Sequence, residues 1–265
     1  MPEVENAGVR LHYELSGKQH GDSLVLGNSL GSNLHMWDKV LPCFENAYRI
    51  IRFDMRGHGR SSVPPRSYGI EGLGRDVLFL LDSLGIECVN FCGLSLGGMV
   101  GMWLAIHAPQ RVRRLVLANT GARIGTPEMW DERIAAVKKS GMAPLAAITL
   151  TRWFTSGYRE THSEEMMLIR EMVGATDPDG YLGCCGVLRD TDLRHEIAGI
   201  SVPGLVIAGK HDPATPPSDG QAIHQALRNA KYVELEASHL SAWERAAEFS
   251  AEVIAFLETR EVRNG

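Results

Sequence analysis

The sequence lacks the features that mark membrane, secreted and nucleic-acid-binding proteins. No apolar run approaches the ~20 residues that span a bilayer, and the first five residues, MPEVE, have neither the basic nor the apolar segment of a secretion signal. Basic blocks are also missing, because 27 Lys and Arg are mixed with 32 Asp and Glu among 265 residues. We therefore expect a cytoplasmic protein that binds a small molecule, with no membrane or nucleic-acid partner, and the sequence favours no particular oligomeric state.

Cysteine is scarce, and its spacing is poor for metal binding. Cys88 and Cys92 lie in a predicted strand, where they would stand about 13 Å apart at ~3.3 Å per residue. Cys184 and Cys185 are adjacent. In a reducing cytoplasm we expect all five cysteines to be small buried apolar residues without disulfides. The sequence has no metal or nucleotide motif either, so we expect an activity without metal or cofactor that survives chelators.

Short apolar runs alternate with helical patterns along most of the chain. Nearly continuous apolar runs, typical of central parallel strands, occupy residues 24–26, 50–53, 89–92, 115–118 and 205–208. Residues 9–15 alternate with period two, as a half-exposed antiparallel strand does, and a last strand is predicted over 232–235. Helical patterns occupy residues 70–84, 97–108, 217–227 and 246–259. This alternation predicts an α/β fold with a mostly parallel, doubly wound sheet.

The strand-helix alternation stops between residues 123 and 197. Helix-like stretches replace it at residues 129–139, 144–154 and 164–173. We therefore predict a core formed by residues 1–122 and 198–265, and a helical cap of residues 123–197 inserted into it.

Residues 93–97, Gly-Leu-Ser-Leu-Gly, form a G-x-S-x-G motif between a predicted strand and a predicted helix. In this context the motif presents a nucleophilic serine on a tight turn. Both glycines are needed, because a Cβ at either position would collide with the neighbouring strand or helix. The motif predicts Ser95 as the nucleophile of acyl transfer.

A serine hydroxyl is a weak nucleophile at neutral pH, so it needs a base and an acid that orients the base. After such a motif the acid and then the histidine follow in the chain, each after a strand. His239 directly follows the last predicted strand, and Asp212 follows the strand before it. The alternative acids are Asp219, although acidic residues are common in the first turn of a helix, and a residue of the predicted cap. Activity should fall at acid pH, because a protonated His239 accepts no proton.

Two backbone N–H donors are needed to stabilise the tetrahedral oxyanion. Leu96, the residue after the nucleophile, supplies one at the start of a predicted helix. The second is expected from the loop that follows strand 24–26, with the sequence Gly-Asn-Ser-Leu-Gly-Ser. We predict Leu30 as this donor, since its small and polar neighbours let its N–H turn toward the site.

Four segments together resemble the α/β-hydrolase superfamily: NSLG (28–31), DMRGHGRS (54–61), GLSLG (93–97) and GKHD (209–212). Within it, the segments NSLGS (28–32), RGHG (56–59), CGLSLGG (92–98), LANT (117–120) and ARIG (122–125) resemble the 3-oxoadipate enol-lactonases. The resemblance implies an α/β-hydrolase fold and cofactor-free opening of a small carboxylate-bearing lactone of the β-ketoadipate pathway through an acyl-enzyme. Many superfamily members have His-Gly where this chain has Asn28-Ser29.

An enol-lactone that carries a carboxylate needs an apolar surface for its ring and a cation for its acid group. Trp130, Trp153, Arg133 and Arg152 in the predicted cap are candidates. The alternative is that the tryptophans pack the cap onto the core and the arginines are solvated. The segment 122–197 holds 9 Lys or Arg against 12 Asp or Glu, so its net charge gives no sign of an anion site. For His58, a structural turn is favoured over a place near the substrate.

Other reactions use the same three side chains. The alternatives are a general carboxylesterase, a cofactor-free haloperoxidase or perhydrolase, and a carbon-carbon bond hydrolase, since the pocket and not the fold selects the substrate. A more distant alternative is a ligand receptor that keeps the pocket without turnover.

Overall fold

The nearly continuous apolar runs become the central strands of one sheet. The computed structural model describes residues 2–65 and 68–259, which form eight strands: β1 (Glu3–Asn6), β2 (Val9–Gly17), β3 (Ser23–Gly27), β4 (Arg49–Phe53), β5 (Val89–Leu94), β6 (Val112–Ala118), β7 (Gly204–Gly209) and β8 (Ala230–Leu235). They lie in the order β1-β2-β4-β3-β5-β6-β7-β8. Among these strands, β2 pairs antiparallel with β1 and with β4, and all the other pairs are parallel. The predicted mostly parallel α/β sheet is thus confirmed.

Burial follows the position of each strand in the sheet. β3, β5 and β7 are buried at every residue, as strands covered on both faces must be. The edge strand β8 is half-buried or exposed at five of its six residues. The other edge strand, β1, was not predicted, because its four residues alternate too briefly to give a periodic signal.

The same described residues contain eleven α-helices: α1 (Leu41–Phe44), α2 (Ile70–Ser83), α3 (Leu96–His107), α4 (Pro127–Ser140), α5 (Met142–Trp153), α6 (Ser156–Thr161), α7 (Ser163–Gly174), α8 (Pro178–Asp190), α9 (Pro217–Ala226), α10 (Ser241–Glu244) and α11 (Ala246–Leu257). Short 3₁₀ helices occupy Leu34–Trp37, Pro109–Arg111 and Ile197–Gly199. α3 packs against β5 and β6 and also against α2. No helix within the described ranges combines the length and hydropathy needed to cross a membrane.

Helices α4 to α8 form the insertion between β6 and β7, which confirms the predicted helical cap. α4 packs against α8, and α5 packs against α7. N-cap residues begin two of these helices. The Thr126 side chain accepts a hydrogen bond from the N–H of Met129 at the start of α4, and the Asp177 side chain accepts from N–H groups in the first turn of α8. All five helices lie within residues 123–197, while the division of the chain at those two positions stays a prediction.

Helix α8 was not predicted from the sequence, because glycines interrupt the helical pattern of its apolar residues. Two of these glycines are packing positions. A Cβ on Gly180 would lie 2.0 Å from the carbonyl oxygen of Gly57 in the core, and a Cβ on Gly183 would lie 2.5 Å from the ring of Tyr68. Glycine at these two positions therefore lets α8 of the cap lie closer to the core than a residue with a side chain would allow.

The prediction that all five cysteines are buried is wrong for two of them. Cys43 is exposed on the one-turn helix α1, and Cys88 is half-buried just before β5 begins. Cys92, Cys184 and Cys185 are buried. Burial raises the pKa of the Cys185 thiol to about 12, so this thiol stays protonated at neutral pH.

Two helical glycines provide a test of the packing that fixes α3. A Cβ on Gly74 of α2 would lie 1.9 Å from the ring of Trp103 on α3, whereas a Cβ on Gly186 of α8 would meet open space. We expect Gly74→Ala to lower the free energy of unfolding by about 1–3 kcal/mol through overpacking. Gly186→Ala should raise it by ~0.5–1 kcal/mol, because alanine favours a helix interior. Urea unfolding of both variants measures the two effects, and a stabilised Gly74→Ala protein would contradict the close α2–α3 contact.

Candidate active site

The predicted functional residues gather at the carboxyl ends of neighbouring strands. Ser95 follows β5, Asp212 lies in the loop after β7, and His239 lies in the loop after β8. Ser95 and His239 line the same cavity, and the loop that holds Leu30 follows β3 on the other side of β5. In parallel sheets this edge is where ligand sites form, since the loops there converge.

Ser95 occupies a strained turn between β5 and α3. Its φ of 58° and ψ of −117° lie outside the regions that L-residues favour, at a cost of about 1–3 kcal/mol. The surroundings fix this conformation: the Ser95 N–H donates to the carbonyl of Ala118 at 3.0 Å, and the Ser95 carbonyl accepts from the hydroxyl of Thr120 at 2.7 Å. The sharp turn holds the Ser95 side chain at the wall of the cavity.

Asp212 and His239 form a buried hydrogen-bonded pair. His239 Nδ1 lies 2.7 Å from Asp212 Oδ2, to which it donates. The same oxygen accepts from Asn119 Nδ2 at 3.0 Å and from Thr215 Oγ1 at 2.7 Å. Asp212 Oδ1 accepts from the backbone N–H groups of Ala214 and Thr215. With Nδ1 protonated, Nε2 of the neutral imidazole carries the lone pair that a general base needs.

These hydrogen bonds keep the Asp212 carboxylate charged despite its burial. Burial by itself would raise the pKa of Asp212, but the hydrogen bonds that it accepts from His239, Asn119 and Thr215 hold the pKa below the ordinary value. The carboxylate therefore stays ionised at neutral pH and fixes the His239 ring.

The two predicted oxyanion donors lie on segments that are hydrogen-bonded to each other. Leu96 is the first residue of α3, and the Gly97 N–H donates to the carbonyl of Asn28 at 2.9 Å. Within the described residues, the N–H groups of Leu30 and Leu96 have no hydrogen-bond acceptor. The Asn28 side chain donates to the carbonyl of Phe53 and accepts from the indole of Trp37. Asn28 thus anchors this loop to the core.

A half-closed cavity lies beside Ser95. All four predicted cap residues line it: Trp130, Arg133, Arg152 and Trp153. Further walls come from Ser29, Leu30, Ile124, Met129, Thr149, Val173, Tyr181, Leu188 and Ala214. Trp130 and Trp153 are buried, and the ring of Trp153 lies 6.4 Å from that of His239. These tryptophans therefore pack the cap and form the cavity wall at once.

Arg133 and Arg152 bring two positive charges to this cavity without a carboxylate partner in the part of the chain that the structure describes. Arg133 lies over the ring of Trp130 at 5.5 Å and donates a long hydrogen bond, 3.4 Å, to the hydroxyl of Tyr181. Burial lowers the pKa of Arg152, and the neighbouring charge of Arg133 lowers it further. Two mutually repelling cations in a half-closed cavity produce a positive potential that attracts anions.

The alternative acid, Asp219, lies in the first turn of α9 and makes no hydrogen bond to His239 in the described structure. Sequence reasoning gave no role to Asn119 and Thr215, which bind Asp212. Thr215 stands three residues after Asp212, and this short spacing is a usable signal for a hydroxyl that caps an aspartate loop. Asn119 carries a φ of 44°, and its position relative to Asp212 depends on the pairing of β6 with β7.

No group of three or more potential metal ligands is assembled within residues 2–65 and 68–259. His58 lies in the loop after β4 and is not among the residues that line the cavity beside Ser95, and its ring contacts the loop that holds Leu30. Arg56 of the same loop forms two hydrogen bonds to the carboxylate of Asp76 on α2.

Comparisons with known proteins agree with this geometry. Residues 22–246 match the family model of the alpha/beta hydrolase fold. The chain is 40% identical over 250 residues to 3-oxoadipate enol-lactonase 2 of Acinetobacter baylyi, covering 94% of each chain. Its structure is similar to that of an enol-lactonase from Burkholderia xenovorans LB400, with 44% identity, a TM-score of 0.95 and coverage of 97% and 100%. An esterase from Thermogutta terrifontis is similar at 25% identity and a TM-score of 0.90, with coverage of 97% and 98%.

Replacing Thr215 by valine tests the hydrogen bonds that hold Asp212. Because the folded-state pKa of Asp212 is lowered, its charge stabilises the fold above the pKa of an unfolded aspartate, and this stabilisation is lost as pH falls through the folded value. Thr215→Val removes one donor to the charge, so we expect a loss of about 1.5–3 kcal/mol at neutral pH that shrinks in acid. Urea unfolding of both proteins from neutral to acid pH measures this loss of stability.

Thr191→Val is the matched control. Thr191 is also buried, but its hydroxyl donates to the neutral carbonyl of Val187. Its stability loss should not change with pH. An equal pH dependence in both variants would refute the role given to Thr215.

Proposed function

The chain belongs to the α/β-hydrolase family, among the 3-oxoadipate enol-lactonases, and from this membership we propose that it hydrolyses 3-oxoadipate enol-lactone to 3-oxoadipate through an acyl-enzyme on Ser95. The observation that carries the proposal is one cavity that combines Ser95 and His239 with the unpaired cations Arg133 and Arg152. The first pair suits attack on an ester carbonyl, and the second suits the carboxylate that this lactone carries.

In the first half of the reaction, Ser95 Oγ attacks the carbonyl carbon of the lactone while His239 Nε2 takes the hydroxyl proton. Asp212 holds His239 in the required tautomer and stabilises the imidazolium. The carbonyl oxygen becomes an oxyanion that accepts hydrogen bonds from the N–H groups of Leu30 and Leu96. The dipole at the start of α3 adds to this stabilisation.

Collapse of the intermediate breaks the ring carbon-oxygen bond. The departing oxygen is an enolate, which is a better leaving group than an alkoxide, and His239 returns its proton to it. The enol then tautomerises to the ketone, while the other end of the molecule stays bound to Ser95 as an ester. Water, deprotonated by His239, attacks that ester, and the bond to Ser95 breaks to release 3-oxoadipate and restore the hydroxyl.

Arg133 and Arg152 would bind the carboxylate that takes no part in the reaction. Hydrogen bonds between guanidinium and carboxylate groups are strong and directional, and here they would neutralise charges that lack a protein partner. Trp130 and Trp153, which line the same cavity, would supply apolar surface for the lactone ring. This placement gives the cap the task of orienting the scissile ester.

A general esterase is the main competing function, and perhydrolysis or carbon-carbon bond hydrolysis would use the same nucleophile. The unpaired arginines favour a substrate with a negative charge over a neutral ester. A receptor without turnover would not need the strained Ser95 turn or the charged Asp212. The cytoplasmic location stays a prediction from the sequence.

The first test measures loss of the ultraviolet absorbance of 3-oxoadipate enol-lactone, with a simple aryl ester assayed beside it. We expect fast lactone opening by the unmodified protein and a loss of roughly 10⁴-fold or more in kcat for Ser95→Ala, because the nucleophile is removed. Ser95-dependent cleavage of the aryl ester alone would retain the mechanism and reject the lactone as substrate. Lactone opening that persists in Ser95→Ala would reject the acyl-enzyme.

The second test concerns the anion site. Arg133→Gln and Arg152→Gln should each lower kcat/KM for the enol-lactone by roughly 10- to 100-fold, the size of one charged hydrogen bond. Cleavage of a neutral aryl ester should change much less. Arg189→Gln is the control, since Arg189 lies on the same cap but pairs with Asp190 and Asp131. Equal losses of kcat/KM for charged and neutral substrates would show that the two arginines do not bind the carboxylate.

A further inference from the structure

His58 is a buried histidine that contacts the loop bearing Leu30. Its Nε2 lies 3.0 Å from the backbone nitrogen of Gly31, and its Nδ1 lies 3.3 Å from the carbonyl oxygen of Arg56. Only 2% of the residue is exposed. The Gly31 N–H can only donate and the carbonyl can only accept, so the proton of the imidazole sits on Nδ1 and Nε2 is the acceptor. Burial lowers the pKa of His58, which keeps the ring in this neutral form.

The hydrogen bonds of this loop single out one N–H group. The Ser29 N–H donates to Met36 Sδ at 3.2 Å, the Gly31 N–H donates to His58, and the Ser32 N–H donates to the carbonyl of Ser29 at 3.2 Å. Leu30 is the one residue of 29–32 whose N–H has no acceptor in the described structure. That N–H therefore stays available for a ligand oxygen in the cavity that Leu30 lines.

The backbone at Gly31 is held from two sides. Its φ of 78° is a conformation that side-chain-bearing residues rarely adopt. His58 accepts from its N–H, and the hydroxyl of Thr176, in the cap, donates to its carbonyl at 3.2 Å. The bond from the Gly31 N–H restrains the peptide unit that joins Leu30 to Gly31, and the bond to the Gly31 carbonyl restrains the next peptide unit. Because the Leu30 N–H lies one peptide earlier, its direction depends on the same two hydrogen bonds.

We propose that His58 is a positioning residue of the oxyanion hole, which aims the Leu30 N–H by accepting a hydrogen bond from Gly31. The inference rests on the proposed function, because it assumes that an oxyanion forms beside Leu30. It also gives the Arg-Gly-His-Gly segment a part in the chemistry without contact between His58 and the substrate. A purely structural His58 would affect folding alone, so stability and transition-state binding have to be measured separately.

The test uses His58→Leu, which removes the acceptor and keeps much of the volume, and His58→Gln, whose amide oxygen can accept from Gly31. We expect His58→Leu to lower kcat by roughly 10- to 100-fold, somewhat below the loss of a whole oxyanion donor. KM should change less than about threefold, since the ground state makes no oxyanion. His58→Gln should recover most of the lost rate.

The affinity for a boronic acid distinguishes positioning from a purely structural role, because a purely structural His58 would leave this affinity unchanged. A boronic acid forms a tetrahedral adduct on Ser95 and places an oxygen where the oxyanion develops, so its affinity should fall in parallel with kcat. A non-reacting dicarboxylate, adipate, should bind all variants alike. Val77→Ala is the control for stability, because Val77 is fully buried on α2 and belongs to no part of the site. It should lose stability and keep both kcat and boronic acid affinity.

A second variant covers the case in which His58→Leu fails to fold. Thr176→Val keeps the side-chain volume and removes the donor to the Gly31 carbonyl, and it should lower kcat and boronic acid affinity together by a few-fold. The proposal is overturned if the His58 and Thr176 variants behave like Val77→Ala, or if His58→Gln is no better than His58→Leu. Assays with both the lactone and an aryl ester separate the two proposals, since the His58 effect is measurable on whichever ester is cleaved.

Discussion

The arrangement of the site depends on how closely the start of α3 approaches the ends of β3 and β5. A Cβ on Gly93 would lie 2.2 Å from the carbonyl oxygen of Gly97, and a Cβ on Gly97 would lie 2.2 Å from that of Gly27. Only glycines allow this approach, which brings the Gly97 N–H within 2.9 Å of the Asn28 carbonyl. The strained φ of Ser95 is the consequence, because the chain must reverse between β5 and α3 in this confined space.

On both sides of this contact, the loop after each neighbouring strand carries one residue or segment of the candidate site. β3 and β4 lead to the oxyanion loop and to His58, and β5 leads to Ser95. β6, β7 and β8 lead in turn to Asn119, Asp212 and His239. Hydrogen bonds join adjacent loops across the edge of the sheet, so that a shift of one strand would move the neighbouring group as well. The parallel pairing of the strands therefore fixes the positions of these groups relative to one another, and hydrogen bonds from neighbouring side chains fix their orientation.

The parts of the site that the sequence predicts are those with a local or an ordered signal. The Ser95 turn is a five-residue motif, and the order of strands points to Asp212 and His239. The links that aim these groups join residues far apart in the chain: His58 and Gly31 are 27 residues apart, Asn119 and Asp212 are 93 apart, and Thr176 and Gly31 are 145 apart. No periodicity or spacing encodes such contacts, which exist only after the sheet and the cap have packed.

The cap shows why net charge does not reveal the proposed anion site. Its carboxylates outnumber its basic residues, yet the structure directs many of them away from the cavity. Glu165 pairs with Lys39 of the core at 2.5 Å and accepts from the hydroxyl of Tyr158 and the indole of Trp243, so this acid fastens the cap to the core. Others pair with surface arginines such as Arg189 and Arg194. Leaving two half-buried guanidinium groups without a carboxylate partner opposes folding, since partial removal of a charge from water is unfavourable. The close glycine contacts of α8 and the pairing of Glu165 with Lys39 stabilise the cap and offset that cost. A segment with net negative charge can in this way place two positive charges at the cavity.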